Sequence, residues 1–256
     1  WRDWSSDVCS SDLKAAPSSC SRAILRSMPH VMKRVEAVRS MRNSSTDAQT
    51  RKDANNPTQF QKIRQPQTSR YLAIPKVSSE RRQFIPIGYL DSEVICGDKI
   101  FFVDDASLFT FGVLTSTMHN AWMRQTCGRL ESRYSYSNTI VYNNYPWPGF
   151  AGEALSDKHR TAIEQAAQCV LDARSQFADS SLADLYDPLT MPPALLKAHQ
   201  KLDTAVDAAY QPSGGKKTYA TDAERVAFLF ELYQRVTSLL PVSATKKTRK
   251  TKAAES

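Results

Sequence analysis

The spacing of the apolar residues changes near Gly149–Gly152, and this change divides the chain into two parts. After Gly152 apolar residues recur every three or four positions, which is typical of amphipathic helices. Before Gly149 short runs of β-forming residues are interrupted by prolines and polar turns. We therefore expect an α+β protein. A mixed α/β domain with short strands and a long helix should precede a small three-helix bundle.

Local signals place the three helices of the second part. Their predicted first residues are, in order, Ser156 or Asp157, Pro192 or Pro193, and Thr221, which forms a capping box with Glu224. The first helix should end near Phe177, and a short turn at 182–186 should follow it. Helices of this length joined by short loops can fold as an antiparallel bundle.

The first part is predicted to begin with a basic helix at Pro29, followed by a polar loop over 43–57. Short strands are expected at 71–77, 84–89, 93–96 and 100–103. Pro75 and Pro86 favour edge positions for the first two strands, because proline cannot donate to a sheet ladder. A helix over 114–127 should end at Gly128.

The stretch from Thr115 to Pro148 concentrates basic, aromatic and small polar residues. After the predicted helix, β-forming residues between Tyr134 and Tyr142 indicate a strand. Arg129, Glu131 and Arg133 alternate just before it, and an extended backbone would point all three side chains the same way. We interpret this stretch as a surface that faces nucleic acid.

Glu131 and Arg133 have the chemistry to read one base pair. Arginine can donate to guanine O6 and N7, while glutamate can accept from the N4 amino group of the paired cytosine. The alternative is a surface salt bridge, worth about 0 to 1 kcal/mol. The residues alone leave both interpretations open. Upstream, the turn at 78–82 carries two serines and two arginines, which suit phosphate or groove contacts.

Several other polar or aromatic residues are better explained by structure. Phe109, Phe111, Trp122 and Met123 lie at helical spacing, which favours core positions over a base-stacking platform. His119 is a lone imidazole, for which a structural role is expected over a groove contact.

The charge is unevenly distributed. The formal net charge is +8; residues 14–148 carry 19 basic and 10 acidic side chains, whereas residues 149–240 carry 9 and 12. A basic first domain suits contact with phosphates. Residues 241–256 form a predicted disordered basic tail.

The five cysteines show no C-x-x-C pair or metal-ligand spacing with histidine, so zinc is not expected. No apolar run is long enough to span a membrane.

Residues 1–13 are set aside. The segment DWSSDVCSSDL, from Asp3 to Leu13, reads like one translated frame of a common sequencing adapter, so we expect this sequence to be a fragment. The domains expected are then 14–148 and 149–240, followed by the tail.

Three segments of the sequence show a family resemblance: IPKVSSERRQFIPIGYL (Ile74–Leu90), the stretch Thr115–Pro148, and LADLYDPLTMPPALLKAHQKLDTAVDAAY (Leu182–Tyr210). Together they resemble the C-terminal part of MmeI-like DNA methyltransferases, over about Met28 to Leu240. These are adenine-specific, S-adenosylmethionine-dependent enzymes of restriction-modification systems, some fused to a nuclease. The resemblance implies a target recognition domain followed by a helical C-terminal domain.

The resemblance also implies partners and site residues. Double-stranded DNA is the expected partner, with the missing methyltransferase domain of the same polypeptide, in the bacterial cytoplasm near the nucleoid. The implied base-reading pair is Glu131 and Arg133. The predicted backbone or groove contacts are Lys76, Ser78, Ser79, Arg81, Arg82, Arg124, Arg129, Tyr134, Tyr136 and Asn138.

Catalytic motifs are not found in the sequence. A glycine-rich cofactor turn and an Asn-Pro-Pro-aromatic motif do not occur. Asn144-Tyr145-Pro146-Trp147 has similar residues in a different order, and Asp187-Pro188 is not followed by a second proline and an aromatic residue. We therefore expect the chain to be inactive alone, with S-adenosylmethionine bound elsewhere in the parent enzyme and magnesium needed only if a nuclease is fused. The aromatic-proline corner at 145–148 is expected to bury against the neighbouring domain.

Two other functions remain open. The basic charge also suits a stand-alone, nonspecific nucleic-acid-binding or scaffold protein, whose binding would fall steeply with salt. The helical bundle could instead be a module that docks on a partner.

Overall fold

The computed structural model describes residues 24–59, 68–149 and 154–238. The adapter-like segment, the basic tail and residues 150–152 of the predicted linker lie outside this range. The chain forms two compact units: one contains the residues up to Ile74 together with Gly88–Asp105, and the other contains Pro75–Ile87 and the residues from Ala106 onward. The protein is α+β, as predicted.

The first unit contains helix α1 (Pro29–Asn43), the short helix α2 (Ala48–Lys52) and a 3-10 turn (Asp53–Asn55). The predicted polar loop over 43–57 is therefore wrong. Asp47 caps α2 by accepting from Thr50 N at 2.7 Å, and its carboxylate also accepts from the Thr50 hydroxyl at 2.8 Å. These two hydrogen bonds lower the pKa of the Asp47 carboxyl. The Arg42 guanidinium donates to the carbonyls of Asp53, Asn56 and Gln59 at 2.8–2.9 Å, which holds the segment after α2 against α1.

A three-stranded sheet completes the first unit. Strands β1 (Arg70–Pro75), β3 (Gly88–Asp91) and β4 (Ile100–Asp104) lie in the order β3-β1-β4, and β1 pairs with β3 in antiparallel register. Three strand predictions are corrected. β1 is central, with its proline at the last position, and residues 93–96 form a turn, because the chain there crosses from one side of β1 to the other. Residues 84–87 also form no strand.

The second unit contains a second sheet and most of the helices. Strands β2 (Val77–Ser78), β5 (Gly128–Leu130) and β6 (Arg133–Ser135) lie in the order β2-β6-β5. The helices are α3 (Leu108–Thr115), α4 (Thr117–Thr126), α5 (Asp157–Ser175), α6 (Leu182–Leu185), α7 (Pro193–Ala209) and α8 (Asp222–Thr237), with a π-helical turn at Asn138–Tyr142. This turn replaces most of the strand predicted between Tyr134 and Tyr142.

The predicted helix over 114–127 is two helices that meet at Ser116. This residue ends α3 and caps α4, since its hydroxyl accepts from His119 N and donates to Val113 O. The half-buried Asp203 of α7 accepts from Thr117 N at 2.6 Å and from the Thr117 hydroxyl at 2.7 Å. These contacts fix the start of α4 on α7.

The helical core extends beyond the predicted three-helix bundle. α5 packs on α7, but α3 packs on α5 and α8 packs on α4. Gly112 allows the close approach of α3, because a Cβ there would lie 2.8 Å from Ile163 Cγ2 and 3.1 Å from Ala167 Cβ. Phe109, Phe111, Trp122 and Met123 are buried, which confirms their prediction as core residues.

Two buried histidines and two aspartates make stability depend on pH. Burial lowers the pKa of His119 to about 4 and of His199 to about 3, with the nearby Arg174 charge adding to the effect on His199. Burial also raises the pKa of Asp203 to about 6. Between pH 6.5 and 4 the unfolded chain protonates both histidines while the folded chain does not, so the histidines make stability fall with decreasing pH. Asp203 opposes this fall between pH 6 and 4, and so does Asp207, whose pKa burial also raises.

We expect the contribution of the two histidines to the free energy of unfolding to fall as pH is lowered from 6.5 to 4. His199→Phe should lower stability at pH 7 and should make this pH dependence shallower, by about 1.4 kcal/mol per pH unit at most. Urea unfolding at a series of pH values measures both slopes. An unchanged slope in His199→Phe would show that His199 is not held neutral.

Candidate nucleic-acid interface

The three charged residues at the centre of the prediction lie on a β-hairpin, called here the recognition hairpin (Gly128–Ser135). β5 and β6 pair in antiparallel register, and the last pair before the turn is Leu130 with Arg133. Glu131 and Ser132 therefore form a two-residue turn at the tip.

The turn separates the charged side chains. Residues that face each other across an antiparallel pair lie on the same face of the sheet. Arg129 pairs with Tyr134, and Leu130 pairs with Arg133, so Arg129 and Arg133 belong to opposite faces. The expectation that Arg129, Glu131 and Arg133 point the same way is wrong, because it treated a turn as extended chain.

Glu131 and Arg133 form an ion pair at the tip. Arg133 Nη2 donates to Glu131 Oε2 at 2.7 Å, and the side chains are 76% and 29% exposed for Glu131 and Arg133 respectively. This geometry is the salt bridge considered as the simple alternative. It also holds an acceptor and a forked donor side by side in solvent, the arrangement that base-pair readout needs.

The backbone at Glu131 adopts a conformation that side chains disfavour, with φ +58. A two-residue turn with positive φ at its first position alone follows the type II′ pattern, which normally takes glycine there. Backbone strain of this kind is concentrated at functional sites. The strained backbone therefore makes position 131 a candidate for a functional role.

Replacing Glu131 should reveal this strain. Glu131→Ala removes the carboxylate and keeps a Cβ, whereas Glu131→Gly removes both. We expect the Gly variant to be more stable than the Ala variant by about 1 kcal/mol, the cost of positive φ for an L-residue. Urea unfolding of the two variants gives this difference directly, and equal stabilities would show that the turn is unstrained.

The structure brings the basic turn at 78–82 into the same sheet as the recognition hairpin. β2 pairs with β6 through Val77 with Ser135 and Ser78 with Tyr134. Tyr136 N also donates to Lys76 O at 2.8 Å. The Ser79 hydroxyl accepts from Arg81 N at 3.2 Å and shapes the turn, while the Arg81 side chain is exposed. Sheet β2-β6-β5 therefore carries both predicted clusters.

Some predicted contact residues are engaged inside the protein instead. Arg82 Nη2 donates to Ala183 O at 3.3 Å, and Arg124 pairs with Asp222 at 2.7 Å while also donating to Gln83 O. Ser78, Tyr134 and Tyr136 are buried, and the Tyr136 hydroxyl lies 3.2 Å from His119 Nε2. Lys76 and Ser79 are partly exposed, and Asn138 is exposed at the start of the π-helical turn.

Two hydrogen bonds from helices fix the chain that follows the basic turn. Asn120 Oδ1 accepts from Ile85 N at 3.1 Å, and the buried Arg174 donates to Ile87 O at 2.8 Å and to the Tyr186 hydroxyl. That hydroxyl lies 2.7 Å from His199 Nε2. Arg174 could not be predicted from the sequence as a buried residue, because an arginine in the last turn of a helix normally faces solvent.

The aromatic-proline corner is structural. Tyr145 is buried, and the Tyr210 hydroxyl of α7 donates to Tyr145 at 2.8 Å and lies 2.9 Å from Pro146 O. Trp122 Nε1 donates to Val141 O at 3.1 Å beside it. The corner thus joins the end of the first predicted domain to α7, as expected.

Among the described residues, no cluster of three or more histidine, cysteine or acidic side chains could hold a metal ion. The described cysteines Cys96, Cys127 and Cys169 form no disulfide. In the same part of the chain no helix has the length and apolar character needed to cross a bilayer.

Two family models match the chain over most of its length. The first, described as the MmeI target recognition domain, matches residues 19–149 and contains the whole sheet β2-β6-β5. The second, described as the MmeI C-terminal domain, matches residues 155–241. The chain belongs to the MmeI family. Within this family the recognition hairpin lies in the target recognition domain, and α5 to α8 lie in the C-terminal domain.

Two relatives of this MmeI-family chain are much longer proteins. "DNA methyltransferase A" of Bacillus subtilis (strain 168) is 36% identical over 214 residues, which are 83% of this chain and 23% of that protein. A solved structure of the type IIL restriction-modification enzyme MmeI in complex with DNA is 48% identical, with a TM-score of 0.75, and the match covers 87% of this chain and 28% of the solved one. The chain thus spans about a quarter of each relative.

Proposed function

We propose that this chain is the DNA-recognition part of a longer, site-specific DNA methyltransferase of a restriction-modification system. Its task is to hold a specific duplex while another part of the polypeptide takes an adenine out of the stack and methylates N6 with S-adenosylmethionine. This activity places the protein with the chromosome in the bacterial cytoplasm. The chain itself supplies recognition and no catalytic residue.

The observation that carries the proposal is the recognition hairpin. Its strained turn presents an exposed carboxylate beside a guanidinium, 2.7 Å apart, from the same sheet that carries the basic turn at 78–82. An acceptor and a forked donor at one site can read both bases of a G·C pair in the major groove. Arg81 and Ser79, next to this sheet, suit phosphate contacts that set the register.

The relatives support the assignment to DNA. One is named a DNA methyltransferase, and the other is a restriction-modification enzyme in complex with DNA. The boundary between recognition and helical domains at 148–149 and the individual DNA contacts belong to the proposal. Of the predicted contacts we keep Lys76, Ser79, Arg81, Glu131, Arg133 and Asn138, which are at least partly exposed.

Mapping of methylated sites tests the function. The full-length polypeptide that carries this chain is expressed in cells without other methyltransferases, and their genomic DNA is sequenced for N6-methyladenine. We expect one methylated motif. Competition by random duplex at about 150 mM salt gives a second readout, since specific complexes typically exceed nonspecific ones by at least 10³ in affinity. Complete competition together with no methylated motif would favour a nonspecific binder.

A further inference from the structure

Arg129 contacts the recognition hairpin at two points. Its guanidinium carbon lies 4.1 Å from the centroid of the Tyr134 ring, on the neighbouring strand. Its Nη1 donates to the carbonyl oxygen of Ser132 at 3.2 Å. One side chain therefore spans both strands and reaches the second residue of the turn.

The hydrogen bond to Ser132 O restrains the peptide bond that joins Ser132 to Arg133. Ser132 O belongs to the peptide unit that joins Ser132 to Arg133, so its orientation fixes the direction in which β6 leaves the turn. The preceding residue, Glu131, has a positive φ that an L-residue disfavours, and other turn conformations compete with it. A contact at Ser132 O favours the observed conformation.

Arg129 is poorly placed to read a base pair together with Arg133. The two arginines lie on opposite faces of the hairpin because each shares a face with its own cross-strand partner, Tyr134 for Arg129 and Leu130 for Arg133. The planar guanidinium is also well suited to stacking on an aromatic face while donating in its own plane, which a lysine cannot do.

We propose that Arg129 is a positioning residue, which sets the turn conformation from which Glu131 and Arg133 select a base pair. This inference rests on the proposed function of the hairpin. It replaces the prediction that Arg129 itself contacts the DNA backbone or groove.

Charge-conserving and charge-removing variants separate the possible roles. Arg129→Lys keeps the positive charge and loses the two-point contact, while Arg129→Gln loses both. Lys201→Gln, at an exposed position of α7, is the control for charge removal alone. The full-length methyltransferase and its variants are titrated with the recognised duplex, with duplexes altered at each position of the motif, and at several salt concentrations. Tyr134→Phe, which keeps the ring face, should behave like wild type.

A positioning role predicts a local loss of selectivity. In Arg129→Lys, discrimination at one base pair should fall at least about tenfold, comparable to the loss of one bidentate contact. Discrimination at the other positions and the salt dependence should stay as in wild type and in Lys201→Gln. A residue that only maintains the fold would weaken binding to all the duplexes together.

Three other results would overturn the inference. If Arg129 contacts phosphate, Arg129→Lys will resemble wild type, and Arg129→Gln will bind every duplex more weakly with a salt slope reduced by about 1. If wild type itself shows no selectivity at any position, the proposed function fails together with the inference. Wild-type selectivity that persists in Arg129→Lys would remove the positioning role and leave the proposed function intact.

Discussion

The double substitution Glu131→Lys with Arg133→Asp is expected to change the base pair that the full-length methyltransferase accepts at one position of its motif. The exchange moves the donor and the acceptor to each other's places, so the preferred G·C pair should be accepted in the opposite orientation. Each bidentate contact is worth about 1 to 3 kcal/mol of discrimination. The old preference should be lost and the reverse preference gained. Sequencing of methylated genomic DNA reports the new motif.

A second ion-pair exchange serves as the control for the first. Lys216 and Glu224 form an exposed pair at 2.9 Å, outside the recognition hairpin. Exchanging their charges with Lys216→Glu and Glu224→Lys should leave the motif unchanged. If the exchange at 131 and 133 also leaves the motif unchanged while methylation continues, the pair does not read DNA.

The second large effect concerns the buried ion pair between α7 and α8. Arg225 Nη2 donates to Asp207 Oδ2 at 2.8 Å and Nε to Oδ1 at 3.4 Å, and the side chains are 11% and 4% exposed for Arg225 and Asp207 respectively. Burial raises the pKa of Asp207 even though Arg225 lowers it. Arg225→Met leaves this carboxylate buried without its partner. We expect a loss of about 3 to 5 kcal/mol in the free energy of unfolding.

A double variant tests whether the unpaired charge causes this loss. Asp207→Leu combined with Arg225→Met removes both charges and should recover most of the stability. Lys216→Met breaks an exposed pair and should leave the urea midpoint nearly unchanged. A double variant no more stable than Arg225→Met would assign the loss to packing of the Arg225 side chain.

Helices could be predicted from the sequence because their signals are local. α5 begins at Asp157, α7 at Pro193 and α8 at Asp222, where caps and apolar spacing placed them. Thr221 accepts from Glu224 N at 3.3 Å, as its capping-box position predicts. The family resemblance, which rests on long matching words, is confirmed by both family models.

Sheets and buried polar groups could not be predicted in the same way. The order β3-β1-β4 depends on pairing between distant residues, which no local pattern encodes. The alternation of Arg129, Glu131 and Arg133 predicted one extended face. A type II′ turn normally has glycine at its first position, so the glutamate there gave no signal of a turn. Arg174 and Arg225 look like surface arginines in sequence, and only the packing of α5 to α8 buries them.

A double-mutant cycle between protein and DNA measures whether the recognition hairpin touches a base. Binding of wild type and Arg133→Ala is measured on the recognised duplex and on one in which 7-deazaguanine, which lacks the N7 acceptor, replaces guanine at the position read by the turn. We predict a coupling of about 1 to 3 kcal/mol, because the analogue should weaken wild type and leave Arg133→Ala unaffected. Equal weakening of both proteins at every guanine would show that Arg133 does not contact guanine N7.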